Sequence, residues 1–350
     1  MKFLAVIMAG GRGQRFWPLS TTEKPKQFLD LERSGSTLIQ STFERILPLV
    51  DSPEDIFVAT GDLYRELVCE QLPDLPEANL IIEPTGRDSA PAVALAALTL
   101  SERYPEATAG FFSADHRIGA PDAFRHTIRD AAQLAEETGG IVTVGIRPTR
   151  PATGYGYIRA GEPVGASGYR VLKFVEKPNL AKAQRYVTDD SYSWNAGIFV
   201  WQLRTILGEL DTYVPELTKP LREALHQNRV DEVFPHLKKI SIDYAVMEQS
   251  DKVYVVPGDF DWDDIGDWVA LERLLKRGED GANTVVGTHV GLETAGNIIY
   301  TDAPDDVIVT LGVQDLIVVK RGNAVLLVHK DRIQDIKQLL ADERLAGVTL

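Results

Sequence analysis

Phe3-Leu4-Ala5-Val6-Ile7-Met8-Ala9-Gly10-Gly11-Arg12-Gly13-Gln14-Arg15-Phe16-Trp17-Pro18-Leu19-Ser20, followed by Lys24-Pro25-Lys26-Gln27-Phe28, decides the reading of this chain. The apolar run over 3–8 has the length of a buried strand, and glycine, arginine and lysine crowd the loop after it. Glycines let backbone N–H groups approach phosphate oxygens because no Cβ intervenes. Arg15 and Lys26 add cationic side chains suited to a polyphosphate. A strand that hands the chain to such a loop implies a nucleoside triphosphate at the strand's carboxyl end.

Two common phosphate loops are excluded. A dinucleotide fingerprint needs glycine three residues after Gly13, where Phe16 stands, and the chain has no Gly-Lys-Ser/Thr triplet for a Walker A loop. The pattern Gly-Gly-x-Gly-x-Arg-x-x-Pro-Leu-Ser with a following Pro-Lys resembles the signature of sugar-1-phosphate nucleotidyltransferases. Phe16-Trp17 and Pro25-Lys26-Gln27-Phe28 resemble its mannose-1-phosphate guanylyltransferase branch. A plain glycine turn with solvated basic residues is the alternative.

The chain has 350 residues and a net charge of −14. That length accommodates one large α/β domain and a smaller appendage. The acidic balance argues against nucleic acid or an anionic membrane as partner. A single cysteine, Cys69, excludes an intrachain disulfide, fits a reducing compartment and falls in a helical pattern that predicts a core position. The first nine residues imitate a short signal peptide, yet cleavage there would cut just before the phosphate loop. The longest apolar run, 90–100, is too short to span a membrane. A cytoplasmic protein is expected.

Strands are predicted at 3–8, 56–60, 79–82, 109–113 and 141–146, alternating with helices near 37–48, 62–72, 90–103 and 121–138. This alternation predicts a mainly parallel, Rossmann-like sheet with helices on both faces and ligands at the strand ends. The glycine- and aromatic-rich stretch 152–202 reads as a sheet extension walling a pocket. Arg277-Gly278-Glu279-Asp280-Gly281 reads as a linker. Short strands near 284–290, 297–300, 307–311, 315–320 and 324–329, then a helix near 331–346, predict a small all-β unit. The expected domains are 1–275 and 282–350. The resemblance implies a GT-A-like catalytic domain and a β-helix-like C-terminal domain that takes part in self-association. No internal repeat is evident.

Two acidic positions invite a metal. Asp115 ends the apolar strand around Phe111-Phe112, where a carboxylate anchors a divalent ion beside a triphosphate; a turn or capping aspartate is the alternative. His116 reads as a packing residue or as a support behind the metal ligands rather than a ligand itself, since Mg²⁺ prefers oxygen. In Asp261-Trp262-Asp263-Asp264-Ile265-Gly266-Asp267-Trp268 the resemblance aligns Asp264 with the family's metal ligand. Acid enrichment at a helix N-terminus is the plainer reading, and both can hold.

Glu83-Pro84-Thr85-Gly86-Arg87-Asp88-Ser89-Ala90-Pro91-Ala92 resembles the guanylyltransferase segment that meets the base. Guanine presents two adjacent donors, which one carboxylate such as Glu83 accepts together. Asp88 stands where the family has asparagine, and Asp88 or Ser89 also reads as a helix N-cap. Gly154-Tyr155-Gly156-Tyr157, Glu176-Lys177-Pro178, Asn195-Ala196-Gly197 and Ser241-Ile242-Asp243-Tyr244 resemble the sugar-phosphate half of the pocket. Singly, these are ordinary strand ends, core tyrosines and turns.

The resemblance implies transfer of GMP from GTP to α-D-mannose 1-phosphate, giving GDP-mannose and pyrophosphate by Mg²⁺-assisted in-line attack. The nucleotide contacts would be Ala9, Gly10, Gly11, Gly13, Arg15, Glu83, Pro84, Ser89 and Asp115. Arg15 would hold departing pyrophosphate and Lys26 the α-phosphate charge. Gly154, Tyr155, Glu176, Lys177 and Asn195 would hold the sugar phosphate, and Asp115 and Asp264 the Mg²⁺. A homodimer through the C-terminal domain is also implied. The alternatives are a related transferase of other base or sugar, and a regulatory homologue that only binds nucleotide sugar.

Overall fold

The computed structural model describes residues 2–11, 13–275, 281–340 and 342. The predicted linker lies outside them except for Gly281, as does most of the predicted helix beyond residue 340. Packing divides the chain into two compact units, Met1–Gly10 with Ile39–Trp262, and Gly11–Leu38 with Asp263–Leu350.

In the first unit β1 (Phe3–Met8), β2 (Ile56–Gly61), β3 (Leu80–Glu83), β4 (Thr108–Ser113) and β6 (Ile141–Ile146) follow the predicted strands, and a short β5 (Arg117–Ile118), not predicted, lies between β4 and β6 in the chain. Between them run α1 (Leu38–Ile46), α2 (Arg65–Gln71), α3 (Ser89–Arg103) and α4 (Pro121–Thr138). Leu4, Ala5, Val6 and Ile7 are all fully buried, as befits a strand covered on both faces. α3 is apolar nearly all round and sinks Ala90 through Leu98 into the same core, while Cys69 on α2 is exposed. The core position predicted for Cys69 is therefore wrong: Val68 takes the buried face, and the next helical residue points about 100° away.

The chain continues through β7 (Tyr157–Val164), β8 (Gly168–Val175), α5 (Leu180–Val187), β9 (Tyr192–Gln202), α6 (Leu203–Tyr213), α7 (Pro215–His226), α8 (Val230–Val233), β10 (Val253–Gly258) and β11 (Trp262–Asp263). Nine strands form one sheet in the order β3-β2-β1-β4-β9-β6-β10-β8-β7. β3-β2-β1-β4 is parallel, as is the β6–β10 pair. β9 runs antiparallel between β4 and β6, and β7 with β8 adds an antiparallel hairpin. The predicted parallel core is thus interrupted by a returning strand. Only three residues join β7 to β8, too few for the crossover that parallel pairing requires.

In the second unit α9 (Trp268–Leu275) precedes β12 (Thr284–Val286), β13 (Thr288–Leu292), β14 (Ile298–Thr301), β15 (Val307–Leu311), β16 (Leu316–Arg321) and β17 (Ala324–His329), with α10 (Ile336–Leu339) at the end. β12-β14-β16 and β13-β15 are two parallel ladders, so successive strands alternate between sheets as rungs of a β-helix. Gly287, at φ +101°, breaks the strand predicted over 284–290 into two. At the next corner fully buried Asn297 donates to Asn283 Oδ1, Thr294 Oγ1 and the Val313 carbonyl, and accepts from Leu316 N–H. Phe16, Leu19, Leu31 and Leu38 share a core with Trp268, Leu271, Ile298 and Ile317. The predicted division at 275–282 follows the sequence, whereas packing groups the segment after β1 with the C-terminal strands. No helix among the described residues is long and apolar enough to cross a membrane.

Candidate active site

Within the second unit the basic residues of the glycine loop meet the acidic turn. Lys26 is buried, and its Nζ donates to the carbonyls of Asp264 and Ile265, each at 2.8 Å. Arg15 Nη1 donates to the next carbonyl, Gly266, at 3.5 Å, and its buried Nε has no hydrogen-bond partner among the described residues. Gly13 lies at φ +55°, and a Cβ there would stand 2.7 Å from Lys26 Cβ. Glycine is required at that position on both counts. A Cβ on Gly11 would meet nothing within 4 Å, which leaves open space beside the loop. Lys24 is exposed.

The four aspartates of the acidic turn separate by what they touch. Asp261, in the first unit, pairs with Arg117 at 2.6 Å. Asp263 pairs with Arg273 at 2.8 Å and accepts from Ile265 N–H. Asp267 caps α9 by accepting from Ala270 N–H. Asp264 is half-buried, with its carboxylate packed against Gly266.

Among the residues expected to meet the nucleotide in the first unit, Ala9 is buried; its N–H bonds to the Ala59 carbonyl and its own carbonyl accepts from Thr60 Oγ1. Glu83 ends β3 only 6% exposed, so close to Gly10 that a Cβ there would stand 3.0 Å from its Oε1. Its carboxylate has no hydrogen-bond partner among the described residues, and burial pushes its pKa up to about 7. Asp88, at φ +71°, caps α3 by accepting from Ser89 N–H, and Ser89 Oγ accepts from Ile242 N–H at 2.9 Å. Pro84 lines a cavity of about 680 Å³ with Leu80, Ile82 and Leu95. Arg87, outside the predicted set, has a buried Nε with no hydrogen-bond partner among the described residues.

The residues expected to hold the sugar phosphate are already hydrogen-bonded to one another and to their neighbours. Asn195 Oδ1 accepts from Thr143 Oγ1 at 2.9 Å and from Gly197 N–H at 3.0 Å, while Nδ2 donates to Asp243 Oδ1 at 3.0 Å. The Asn195-Ala196-Gly197 stretch lies in β9 with Gly197 at φ +65°, so the turn reading gives way to an irregular strand. Glu176 Oε1 accepts from Lys177 Nζ at 2.7 Å. Burial pulls the Lys177 ammonium down, but its bond to Glu176 and the nearby charges of Glu176, Asp243 and Tyr244 raise it overall. Burial, then the Glu176 charge, raises Asp243. Asp243 thus joins the predicted residues; its place in the motif beginning at Ser241 was the signal, but only its contact with Asn195 gives it a role. Tyr155 stands edge-on to Trp194 and Trp262, its hydroxyl accepting from Arg150 at 2.9 Å. Gly154 faces open space.

Asp115 follows β4 and accepts a short hydrogen bond from Ser113 Oγ. His116 accepts from Trp262 Nε1 at 3.3 Å and packs edge-on against that ring, the packing role predicted for it. No three His, Cys, Asp or Glu side chains among the described residues gather into a metal cage. A hard cation bound through carboxylates such as Asp115 or Asp264 would fill its shell with phosphate oxygens and water, which suits Mg²⁺.

A glycine loop after β1, a parallel core and a β-helix together are the parts of a nucleotidyltransferase. Residues 4–280 match the family model described as nucleotidyl transferase, and 287–342 match that of the MannoseP isomerase/GMP-like beta-helix domain. A mannose-1-phosphate guanylyltransferase of Escherichia coli is 36% identical over 98% of this chain and 76% of its own length. Another from Escherichia coli strain K12 is 38% identical over 99% of this chain and 74% of its own. A solved Thermus thermophilus structure, described as a mannose-1-phosphate geranyltransferase, superposes with a TM-score of 0.88 at 39% identity. It covers 99% of this chain and 100% of its own. The chain belongs to the mannose-1-phosphate guanylyltransferase family.

Proposed function

We propose that this protein transfers GMP from GTP to α-D-mannose 1-phosphate, releasing pyrophosphate and forming GDP-mannose. The observation that carries the base assignment is Glu83, a buried carboxylate with no hydrogen-bond partner among the described residues. Guanine N1–H and its exocyclic amine satisfy both carboxylate oxygens, whereas uracil or thymine would offer one donor and leave an oxygen unpaired.

A phosphate oxygen of the sugar phosphate attacks the α-phosphorus in line. The new P–O bond forms as the bond to the bridging oxygen breaks, and pyrophosphate leaves with that electron pair. Catalysis is then positioning and charge stabilisation. Backbone groups around Ala9, Gly10, Gly11 and Gly13 receive the nucleotide, with Pro84 and Ser89 flanking the base. Arg15 holds the departing pyrophosphate and Lys26 stabilises charge at the α-phosphate. Lys177, kept cationic by Glu176, seats the attacking phosphate. Glu176 and Asn195 read sugar hydroxyls over a wall of Gly154 and Tyr155. Asp115 and Asp264 would hold a divalent ion, taken as Mg²⁺, which would supply charge neutralisation when bound. A cytoplasmic location belongs to the same proposal.

A pyrophosphate-release assay crossing four nucleoside triphosphates with mannose and glucose 1-phosphates tests this. GTP with mannose 1-phosphate should be fastest. Equal use of UTP or dTTP would overturn the assignment of Glu83.

Self-association through the C-terminal domain is the accompanying proposal. Val290, Leu292, Val307, Val309 and Leu311 are exposed on β13 and β15, with Val290 opposite Val309 and Leu292 opposite Leu311. A second copy of this chain would cover such an apolar face. Val309→Asp should shift the sedimenting species from dimer to monomer; an unchanged species would refute this interface.

A further inference from the structure

Lys26 and the acidic turn are joined by an unusual piece of backbone. Ile265 is fully buried and β-branched, yet its φ is +40°. A β-branched side chain avoids that region, so the surroundings must enforce it. In a strand, successive carbonyls point in opposite directions, whereas a helical or left-handed residue turns them the same way. The left-handed Ile265 therefore aims the Asp264 and Ile265 carbonyls at one spot, and the Lys26 ammonium occupies it at 2.8 Å from each. From the other side, Ile265 N–H donates to Asp263 Oδ1 at 2.8 Å, and Asp263 is tied to Arg273. The Ile265 side chain is sunk in the core with Trp268 and Leu271.

We propose that Lys26 is a positioning residue for Asp264: its ammonium holds the left-handed turn at Ile265 and so fixes the direction in which the preceding carboxylate is presented. This rests on the reading of Asp264 as a metal ligand. The role is separate from charge stabilisation at phosphate, since it operates before any substrate binds. It also gives Gly13 a second purpose, because a larger residue there would displace Lys26 from the two carbonyls.

The test uses the full chain without nucleotide. Lys26→Met keeps the apolar stem and deletes the ammonium. Amide hydrogen exchange at Ile265 should become about tenfold faster or more, and Mn²⁺ binding followed by electron paramagnetic resonance about tenfold weaker, for the loss of two charge-assisted hydrogen bonds. Lys26→Arg, which keeps a cationic donor, should restore part of both. Gly13→Ala should reproduce both changes more mildly, and serves if Lys26→Met does not fold. Unchanged exchange in Lys26→Met, or faster exchange with unchanged Mn²⁺ affinity while Asp264→Asn weakens it, overturns the proposal. Unchanged Mn²⁺ affinity in Asp264→Asn overturns the ligand reading instead, and with it the positioning of that carboxylate.

Discussion

Two of the first unit's candidate site residues, Glu83 and Asn195, are buried polar groups in opposite states. Glu83, proposed to read the base, sits against Gly10 with no hydrogen-bond partner among the described residues, its pKa raised to about 7. Asn195, proposed to read the sugar, has both sides of its amide engaged, by Thr143 and Gly197 on the oxygen and by Asp243 on the nitrogen. An unpaired acceptor costs stability in the empty protein and rewards only a ligand bearing the missing donors. An amide bonded on both its oxygen and its nitrogen has one orientation before ligand arrives, so it contributes fixed geometry. On the proposed function, selection of the base would fall to one waiting group and placement of the sugar to a preorganised network.

Asn195→Ala should break that network most severely. It removes the amide that links Thr143 to Asp243, and kcat/KM for mannose 1-phosphate should fall by on the order of a hundred- to a thousandfold. The KM for GTP should move little, and steady-state kinetics that place the loss in GTP instead would erase the distinction between the two residues. Glu83→Gln should narrow the preference for GTP over UTP by about ten- to a hundredfold, the value of a hydrogen bond to a charged group. Binding of the two nucleotides by calorimetry decides it.

The same carboxylate predicts a stability effect of opposite sign. Its folded pKa of about 7 lies above the ordinary 4.5, so the folded protein holds the proton more tightly. Its contribution to stability is therefore retained below about pH 4.5 and is lost as pH rises through 7. Glu83→Gln should stabilise the nucleotide-free protein at pH 8 by up to about 3 kcal/mol, and much less at pH 5. Denaturant titrations at the two pH values measure it. A variant less stable than the parent at pH 8 would mean that Glu83 is structurally paired. If guanine binds the ionised form, as proposed, GTP affinity should also weaken by about tenfold per pH unit below 7.

Smaller effects sharpen the acidic turn. Asp263→Asn should cost about 1–3 kcal/mol of stability through Arg273 and Ile265 N–H, without a specific change in metal requirement. Asp261→Asn, at an exposed pair with Arg117, should cost less than about 1 kcal/mol. Lys24→Met, on an exposed side chain, should be nearly silent in turnover. A metal titration in which Asp261→Asn is the severe variant would move the ligand away from Asp264.

Much of this was legible along the chain because it depends on neighbours in sequence. The run at 3–8 becomes β1 and the patterned stretch at 121–138 becomes α4, since burial periodicity is set within a few residues. The glycine at position 13 and the lysine at 26 marked the loop for the same local reason. What the tertiary structure alone decided lies between distant segments. β9 slots antiparallel between β4 and β6, and Lys26 finds carbonyls 238 and 239 residues away. Residues Gly11–Leu38 pack with the C-terminal strands, and parallel rungs form where no sequence repeat is evident. Cys69 faces outward because Val68 takes the buried side. Glu83 could be read as a carboxylate suited to guanine, but its lack of a partner depends on what the closed fold brings beside β3. Local propensity is fixed by side chains a turn or a pleat apart; pairing, burial and unmet hydrogen bonds are fixed only when remote segments exclude water together.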